Sequence, residues 1–218
     1  MRLSKTKVQK FRLCPKKYEL SYLQNIWPIY TSDQLEFGKA WANGMELYWG
    51  TKGSLSYDEL PTDQGIVLGC MLDKYTELYP TEDYQVTGTE IKKTVKINDR
   101  TELVVVFDAH VVYKGHGLLV ENKTTRQDIT SDWYWEKLEL DLQTGIYFWA
   151  ANELGIKTDH VLYCVSRVPS LRQGKVGRKS IEETEEEFKQ RVAAELDKNP
   201  DKYFQRRIHT PNTDRAGS

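Results

Sequence analysis

The feature that most limits the fold is a pair of apolar runs joined by a short turn. Leu103 to Phe107 is continuously apolar, and Leu118 to Val120 resumes the pattern after Lys114-Gly115-His116-Gly117. An uninterrupted apolar run fits a strand covered on both faces, and the glycine-rich tetrapeptide fits a reversal between antiparallel strands. A hairpin of this kind belongs at the centre of a sheet, with helices above and below it.

The rest of the chain offers those helices. Ser4 can cap a short basic helix, and Pro15 can open a second one to about Leu23. Asp33 and Glu36 resemble a capping box for a helix carrying Leu35, Gly38, Ala42, Met45 and Trp49. A further helix is expected over Asp63–Tyr79, and Val86 to Ile97 is β-prone. Asp132 can cap a long helix through about Leu154, ended by Gly155. Val161 to Val165 reads as a strand, and Ser180 with Glu183 as a capping box for a last amphipathic helix with Phe188, Val192 and Leu196 on its buried stripe. After Tyr203 the pattern fades. This order predicts an α/β fold with a central mixed β-sheet flanked by helices. We read residues 1–207 as one domain with an N-terminal helical segment (1–80), and 208–218 as an unstructured tail. No apolar run reaches membrane-spanning length, so no membrane partner is expected.

Across the hairpin lie Asp108, Glu121 and Lys123, spaced D-x12-E-x-K. With a turn centred on Gly115-His116, Asp108 should face Lys123 and lie diagonal to Glu121. Glu121 and Lys123 share a face while Asn122 points away. Two carboxylates and an ammonium in a largely apolar sheet suit phosphodiester hydrolysis. The carboxylates, with the Asn122 carbonyl, are hard oxygen donors for Mg²⁺. The lysine can orient or deprotonate the attacking water, or stabilise charge on the phosphate. Gln143 and Tyr147, four residues apart, project from one helix face toward the same place. A hairpin with ordinary surface charges would also give D…E-x-K. The apolar strands leading into both acids, together with Q-x-x-x-Y, favour chemistry.

The formal net charge is −1, yet seven basic residues and no acid fall between Arg2 and Lys17, and five acids and no base between Glu182 and Glu187. Lys5, Lys7, Lys10, Lys16 and Lys17 are candidates for holding a phosphate backbone. So are Arg167, Arg172, Lys175, Arg178 and Lys179 in a basic loop after Val165. Trp133 and Trp135 are candidates for stacking bases, with core packing as the alternative for at least one.

These pieces together resemble a RecB-type nuclease of the PD-(D/E)xK superfamily. The resemblance runs from about Leu3 to Arg207. It rests on the opening L-S-K-T-K-V-Q-K-F-R-L-C-P-K-K-Y, on F-G-K-A-W-A, on V-F-D at Asp108, on V-E-N-K-T-T at Glu121 to Thr125, and on L-Q-T-G-I-Y at Gln143 to Tyr147. It implies a restriction-endonuclease-like core and a Mg²⁺- or Mn²⁺-dependent DNA nuclease, an exonuclease more readily than an endonuclease. Phage and CRISPR-associated exonucleases are similar in size and layout. By the same resemblance Asp108 and Glu121 bind metal, Lys123 is catalytic, and Gln143 and Tyr147 support the site. The implied partner is DNA, single-stranded or with free ends, and the implied location is the cytoplasm of a prokaryotic or phage-infected cell. A toroidal oligomer, known among such nucleases, is left open.

The chain departs from the family pattern. Gly38 is followed four residues later by Ala42, where the family usually has a metal-binding histidine. Three readings stay open: Glu46 reaches the metal, the site holds one metal through its two carboxylates, or the chain is inactive, naturally or by a deliberate His→Ala change, and binds DNA ends without cutting them. Val105 replaces a family glycine. Some such nucleases carry an iron–sulfur cluster on four cysteines. With Cys14, Cys70 and Cys164 alone, no iron–sulfur cluster is expected here, and Cys14 reads as a packed residue at a helix start.

Overall fold

A computed structural model describes residues 1–29, 32–50, 60–174 and 182–210. Its spine is strand β3 (Thr101–Tyr113). Along one edge β3 pairs antiparallel with β2 (Tyr84–Asn98). The other edge is shared. The first strand, β1 (Arg2–Ser4), runs parallel beside Glu102–Val104, and β4 (His116–Thr125) runs antiparallel beside Ala109–Tyr113. Beyond β4 lie β5 (His160–Arg167), parallel to it, and β6 (Phe204–His209), antiparallel to β5. Among the described residues this gives one six-stranded mixed sheet.

Between the last β1 pair, Ser4↔Val104, and the first β4 pair, Ala109↔Val120, the edge of β3 carries no strand partner. The sheet is forked there, and Asp108 sits in the fork. The strand also changes face at this point. Leu103, Val105 and Phe107 pack in one core layer, and Ala109 and Val111 in the other. On the opposite edge the β2 ladder skips the pair Glu90 and Asp108, and Glu90 has φ 45°. An irregularity inside a long ladder re-aims a side chain. Here it turns Asp108 out of the regular alternation.

Helices cover both faces. One layer holds α3 (Asp33–Tyr48), α4 (Thr62–Leu78) and α7 (Glu185–Lys198). The other holds α5 (Asp132–Glu139) and α6 (Leu142–Glu153). At the N-terminus α1 (Lys5–Leu13) and α2 (Pro15–Tyr18) continue into a π-helical turn, Glu19–Leu23. A short α8 (Pro200–Tyr203) precedes β6.

Several expectations are corrected. The hairpin turn is the two-residue loop Lys114-Gly115, both with positive φ, so Tyr113 pairs with His116 and Asp108 comes opposite Glu121 rather than Lys123. The long helix after Asp132 is two helices, because the Asp141 carboxylate caps α6 by accepting the Gln143 N–H. Ser32 rather than Asp33 caps α3, its hydroxyl accepting the Leu35 N–H. The last capping box is Thr184 with Glu187, not Ser180 with Glu183, and Ser180 lies outside the described residues. Cys14 is exposed rather than packed.

The stretch after Tyr203, where the sequence pattern fades, is strand β6, and it runs past residue 207, into the segment read as a tail, to His209. Its inward positions are Phe204 and Arg206, and an inward arginine hides the alternation that marks a strand. Arg206 is accommodated by aromatic rings. Its guanidinium donates to the hydroxyls of Tyr75 (2.8 Å) and Tyr48 (2.6 Å). It lies 4.5 Å from the ring centre of Tyr79, 5.0 Å from Tyr75 and 5.3 Å from Trp49. The contacts tie the C-terminal strand to α3 and α4. Arg206→Ala should lower the unfolding free energy by about 3 kcal/mol, combining a desolvated cation–π contact with two charge-assisted hydrogen bonds. Urea denaturation reads this directly, and a loss below about 1 kcal/mol would show the box to be incidental.

Candidate active site

The site forms where the fork opens. Asp108 Oδ2 accepts the backbone N–H of Asn122 at 2.8 Å, taking the place a strand carbonyl would otherwise fill. A residue's N–H and C=O leave a strand on the same side, so the Asn122 carbonyl also faces Asp108. Glu121 and Lys123 flank Asn122 on the other face of the strand, and their side chains meet at 3.0 Å. The register correction is an even one, so Glu121 and Lys123 keep their shared face, while Asp108, out of the alternation, reaches across the fork to the Asn122 N–H between them.

Gln143 joins the parts. Its amide nitrogen donates to Glu121 Oε2 (2.7 Å) and to the Tyr147 hydroxyl (3.0 Å). Its amide oxygen accepts from Lys123 (3.2 Å) and from Lys5. Both donors and both acceptor positions are used, so the amide has one orientation. Gln143 stands in the first turn of α6 because Asp141 breaks the preceding helix, and Asp141 Oδ2 reaches Lys123 at 3.4 Å. Tyr147, one turn along, packs edge-on against Phe107 of β3 at 5.1 Å.

Burial sets the protonation states. It pushes the Asp108 carboxyl up to about 8, with the Glu121 charge adding to the effect and Glu90 behind it, against the Asn122 N–H bond. Burial pulls the Lys123 ammonium down, but the charge and hydrogen bond of Glu121, with Asp141, hold it above its ordinary value. Lys123 is therefore an ammonium, and of the roles expected for it, proton removal from water is the one this environment disfavours. Burial and then Lys123 lower Lys5, against the pull of Glu121, Asp141 and Asp108. Asp141 is destabilised by burial, yet the Gln143 N–H and the two ammoniums leave it below its ordinary value. Burial raises the Tyr147 hydroxyl, and the Glu121 and Asp108 charges raise it further.

The expected residues divide clearly. Asp108, Glu121, Asn122, Lys123, Gln143 and Tyr147 come together. Lys5, expected on the phosphate backbone, stands inside the site instead, carried there by β1. Lys7 donates to the Arg2 carbonyl, Lys10 to the Ser21 hydroxyl, and Lys16 to Glu19 (2.9 Å), all away from the two acids; Lys17, also outside the site, is exposed on α2. Arg172 pairs with Asp63 (3.3 Å) and Arg167 with Asp128 (3.5 Å). Lys175, Arg178 and Lys179 lie outside the described residues. Trp135 is core, its indole N–H donating to the Ile129 carbonyl, while Trp133 is 62% exposed. Asp141 was missed, although an aspartate just before Leu142 is itself a capping signal. Lys5 carries no comparable signal, since a three-residue strand has no periodicity.

Ala42 lies on the exposed side of α3, within a stripe formed by Gly38, Ala42 and Glu46. At one end a Cβ on Gly38 would stand 3.7 Å from Thr124 Oγ1 of β4. At the other, the Glu46 charge reinforces the effect of burial in raising Glu90 of β2. The stripe therefore runs from beside β4 toward the end of α3 whose charge acts on β2. Beside Lys123 opens a groove of about 550 Å³, lined among others by Gln34, Arg126, Gln127, Lys137 and Asp141.

Among the described residues no three His, Cys, Asp or Glu side chains cluster closely enough to hold a metal ion. The donor set nevertheless suits a hard cation, because two carboxylates and a strand carbonyl turned toward Asp108 are all oxygen ligands. The family model for the PD-(D/E)XK nuclease superfamily matches residues 2–214. No curated protein matches the chain.

The Asp108 environment gives a pH prediction. Its folded value of about 8 lies above the unfolded value near 3.9, so between these the folded chain binds the extra proton. The stabilisation is complete below about pH 4 and is lost as pH rises through 8. In EDTA, the stability of the chain relative to Asp108→Asn should fall by up to about 1.4 kcal/mol per pH unit across that window. Parallel stability curves for the two proteins would mean that Asp108 titrates normally.

Proposed function

This chain belongs to the PD-(D/E)XK nuclease superfamily, and from that premise we propose that it is a divalent-metal-dependent deoxyribonuclease, an exonuclease acting at DNA ends. The observation that carries the reading is the buried ion pair of Lys123 with Glu121, at 3.0 Å and next to Asp108 in the fork. A structural role does not call for an ammonium and two acids there, since the surrounding sheet is apolar. Nucleases of this superfamily generally use divalent metals such as Mg²⁺. In this chain Asp108, Glu121 and the Asn122 carbonyl would hold Mg²⁺ or Mn²⁺. The ion would supply charge neutralisation and activation of the attacking water.

The remaining roles belong to side chains. Near neutral pH Asp108 carries a proton in the metal-free chain, and it would give that proton up on holding the ion. Lys123, held as an ammonium, directs the water by hydrogen bonding and stabilises the negative charge that grows on the phosphate oxygens. Lys5 adds a second cation on the same glutamine oxygen, which suits the phosphate contact expected of it. Gln143 fixes both lysines and Glu121 in place. The Tyr147 hydroxyl stays protonated and has a hydrogen to donate. The groove beside Lys123, with Arg126 and Lys137 on its wall, suits the strand flanking the scissile phosphate. DNA is thus the substrate class this charge pattern favours, and the resemblance of its motifs to those of RecB-type exonucleases favours action at an end. Its place of action in this reading is the cytoplasm of a prokaryotic or phage-infected cell. No helix among the described residues is long and apolar enough to cross a membrane.

One observation favours a second reading. Position 42 lies one turn along α3 from Gly38, which stands beside Thr124 of β4, and alanine offers no donor. A chain short of one ligand would bind DNA ends without cutting them. End-labelled linear DNA with Mg²⁺, Mn²⁺ or EDTA separates the two. Metal-dependent cutting is expected, reduced about 10²- to 10³-fold by Lys123→Ala with DNA binding retained. Cutting seen only after Ala42→His would establish the impaired reading, and none in either protein would remove the nuclease assignment.

A further inference from the structure

The N-terminal segment has a second character that the site does not use. Neither α1 nor α2 contains a buried residue, and the π-helical turn buries only Ser21. Four aromatic rings instead form a ladder over the surface. Phe11 meets Tyr18 at 5.5 Å, Tyr18 meets Tyr22 at 5.4 Å, and Tyr22 meets Trp27 at 5.3 Å. The end rings are open to solvent, Phe11 by 53% and Trp27 by 48%.

Lysines are threaded through the ladder. Lys7 lies 5.3 Å and Lys10 4.9 Å from the Tyr22 ring, and Lys10 lies 4.4 Å from Trp27. Among the described residues Lys7, Lys10, Arg12 and Lys17 form no ion pair. Exposed rings would be costly on a segment that contributes nothing to the core, and uncompensated cations beside them select an anionic partner. Flat rings interleaved with ammoniums match bases interleaved with phosphates. The ladder also begins at the right place. Lys5 enters the site at the first residue of α1, and Phe11 follows about 9 Å along the same helix.

We propose that residues 7–27 form a track for single-stranded DNA, in which Phe11 and Trp27 stack bases while Lys7, Lys10 and Lys17 hold phosphates, leading the strand toward Lys5. The choice of nucleic acid rests on the nuclease reading above. A duplex keeps its bases stacked inside and gains only the charge contacts, so the rings specify an unpaired strand.

The test is binding of a fluorescein-labelled dT20 strand and a blunt hairpin duplex to the full chain in EDTA. Phe11→Ala/Trp27→Ala should weaken dT20 by about tenfold or more and leave the duplex within about twofold. Phe11→Tyr/Trp27→Phe, which keeps both rings, should restore dT20 binding and controls for misfolding. Lys7→Ala should lower the salt slope by about one, and Lys10→Ala likewise. Unchanged dT20 affinity in the folded alanine variant would overturn the track. So would sedimentation showing that the same variant loses self-association while dT20 affinity holds, which would make the face a seat for a second copy. The assay needs no cleavage. A ladder effect in a chain that cuts no DNA leaves the track standing and removes the nuclease reading. Cutting by a chain whose ladder variants bind normally removes the track alone.

Discussion

One hydrogen bond decides the architecture: the Asn122 N–H donating to Asp108 where a backbone carbonyl would ordinarily accept it. If the β3–β4 ladder continued past Ala109↔Val120, the edge of β3 would close and leave no opening for chemistry. A carboxylate satisfies the amide without extending the sheet, so the strands can part while no buried donor is orphaned. The cost appears as the raised Asp108 carboxyl, a burial penalty that a cation in the fork would relieve. The break in alternation at Asp108 and the left-handed backbone of Glu90 belong to the same event, because a strand that keeps perfect pleat cannot redirect one side chain.

Gln143 translates that opening into a defined arrangement. Two lysines would repel each other at one site, and two acids likewise. An amide whose oxygen takes both ammoniums and whose nitrogen takes Glu121 keeps each charge in its place. Its position depends on the cap at Asp141. Had the helix run unbroken from Asp132, the charge of Asp141 would have been spent on a helix interior rather than on Lys123. Secondary structure and electrostatics are set here by a single residue, with one oxygen capping α6 and the other facing the lysine.

Much of this was legible because it rests on period and turn chemistry. The apolar runs gave the central strands, and the shared face of Glu121 and Lys123 follows from alternation alone. The hairpin register was misjudged, yet an even slip moves partners without moving faces. What escaped depends on tertiary context. The strand β1 is three residues long and exists only because β3 offers an edge. The strand β6 conceals its pattern behind an inward arginine that five aromatic rings surround, and those rings come from α3 and α4, the residues that end them, and β2, far away in sequence. Lys5 looked like one lysine of a basic face, and only the pairing of Ser4 with Val104 aims it at Gln143.

The stripe on α3 bears on how the proposed site meets its metal. Burial raises Glu90 and the Glu46 charge adds to this, while Glu90 and Glu121 both act on Asp108. The two acids raised in this way, Asp108 and Glu90, lose least beside a cation, since each carboxylate gains from its charge. A histidine at position 42 would add a neutral donor without adding to that repulsion. An acid reaching in from Glu46 would add charge as well, and would hold a hard cation more tightly while leaving it less able to polarise water. Under the proposed reading, and with Glu46 kept away, the alanine would leave the balance to Asp108, Glu121 and the Asn122 carbonyl. It also makes the two ammoniums, Lys123 and Lys5, the principal means by which this chain's own side chains can answer the charge of a phosphate.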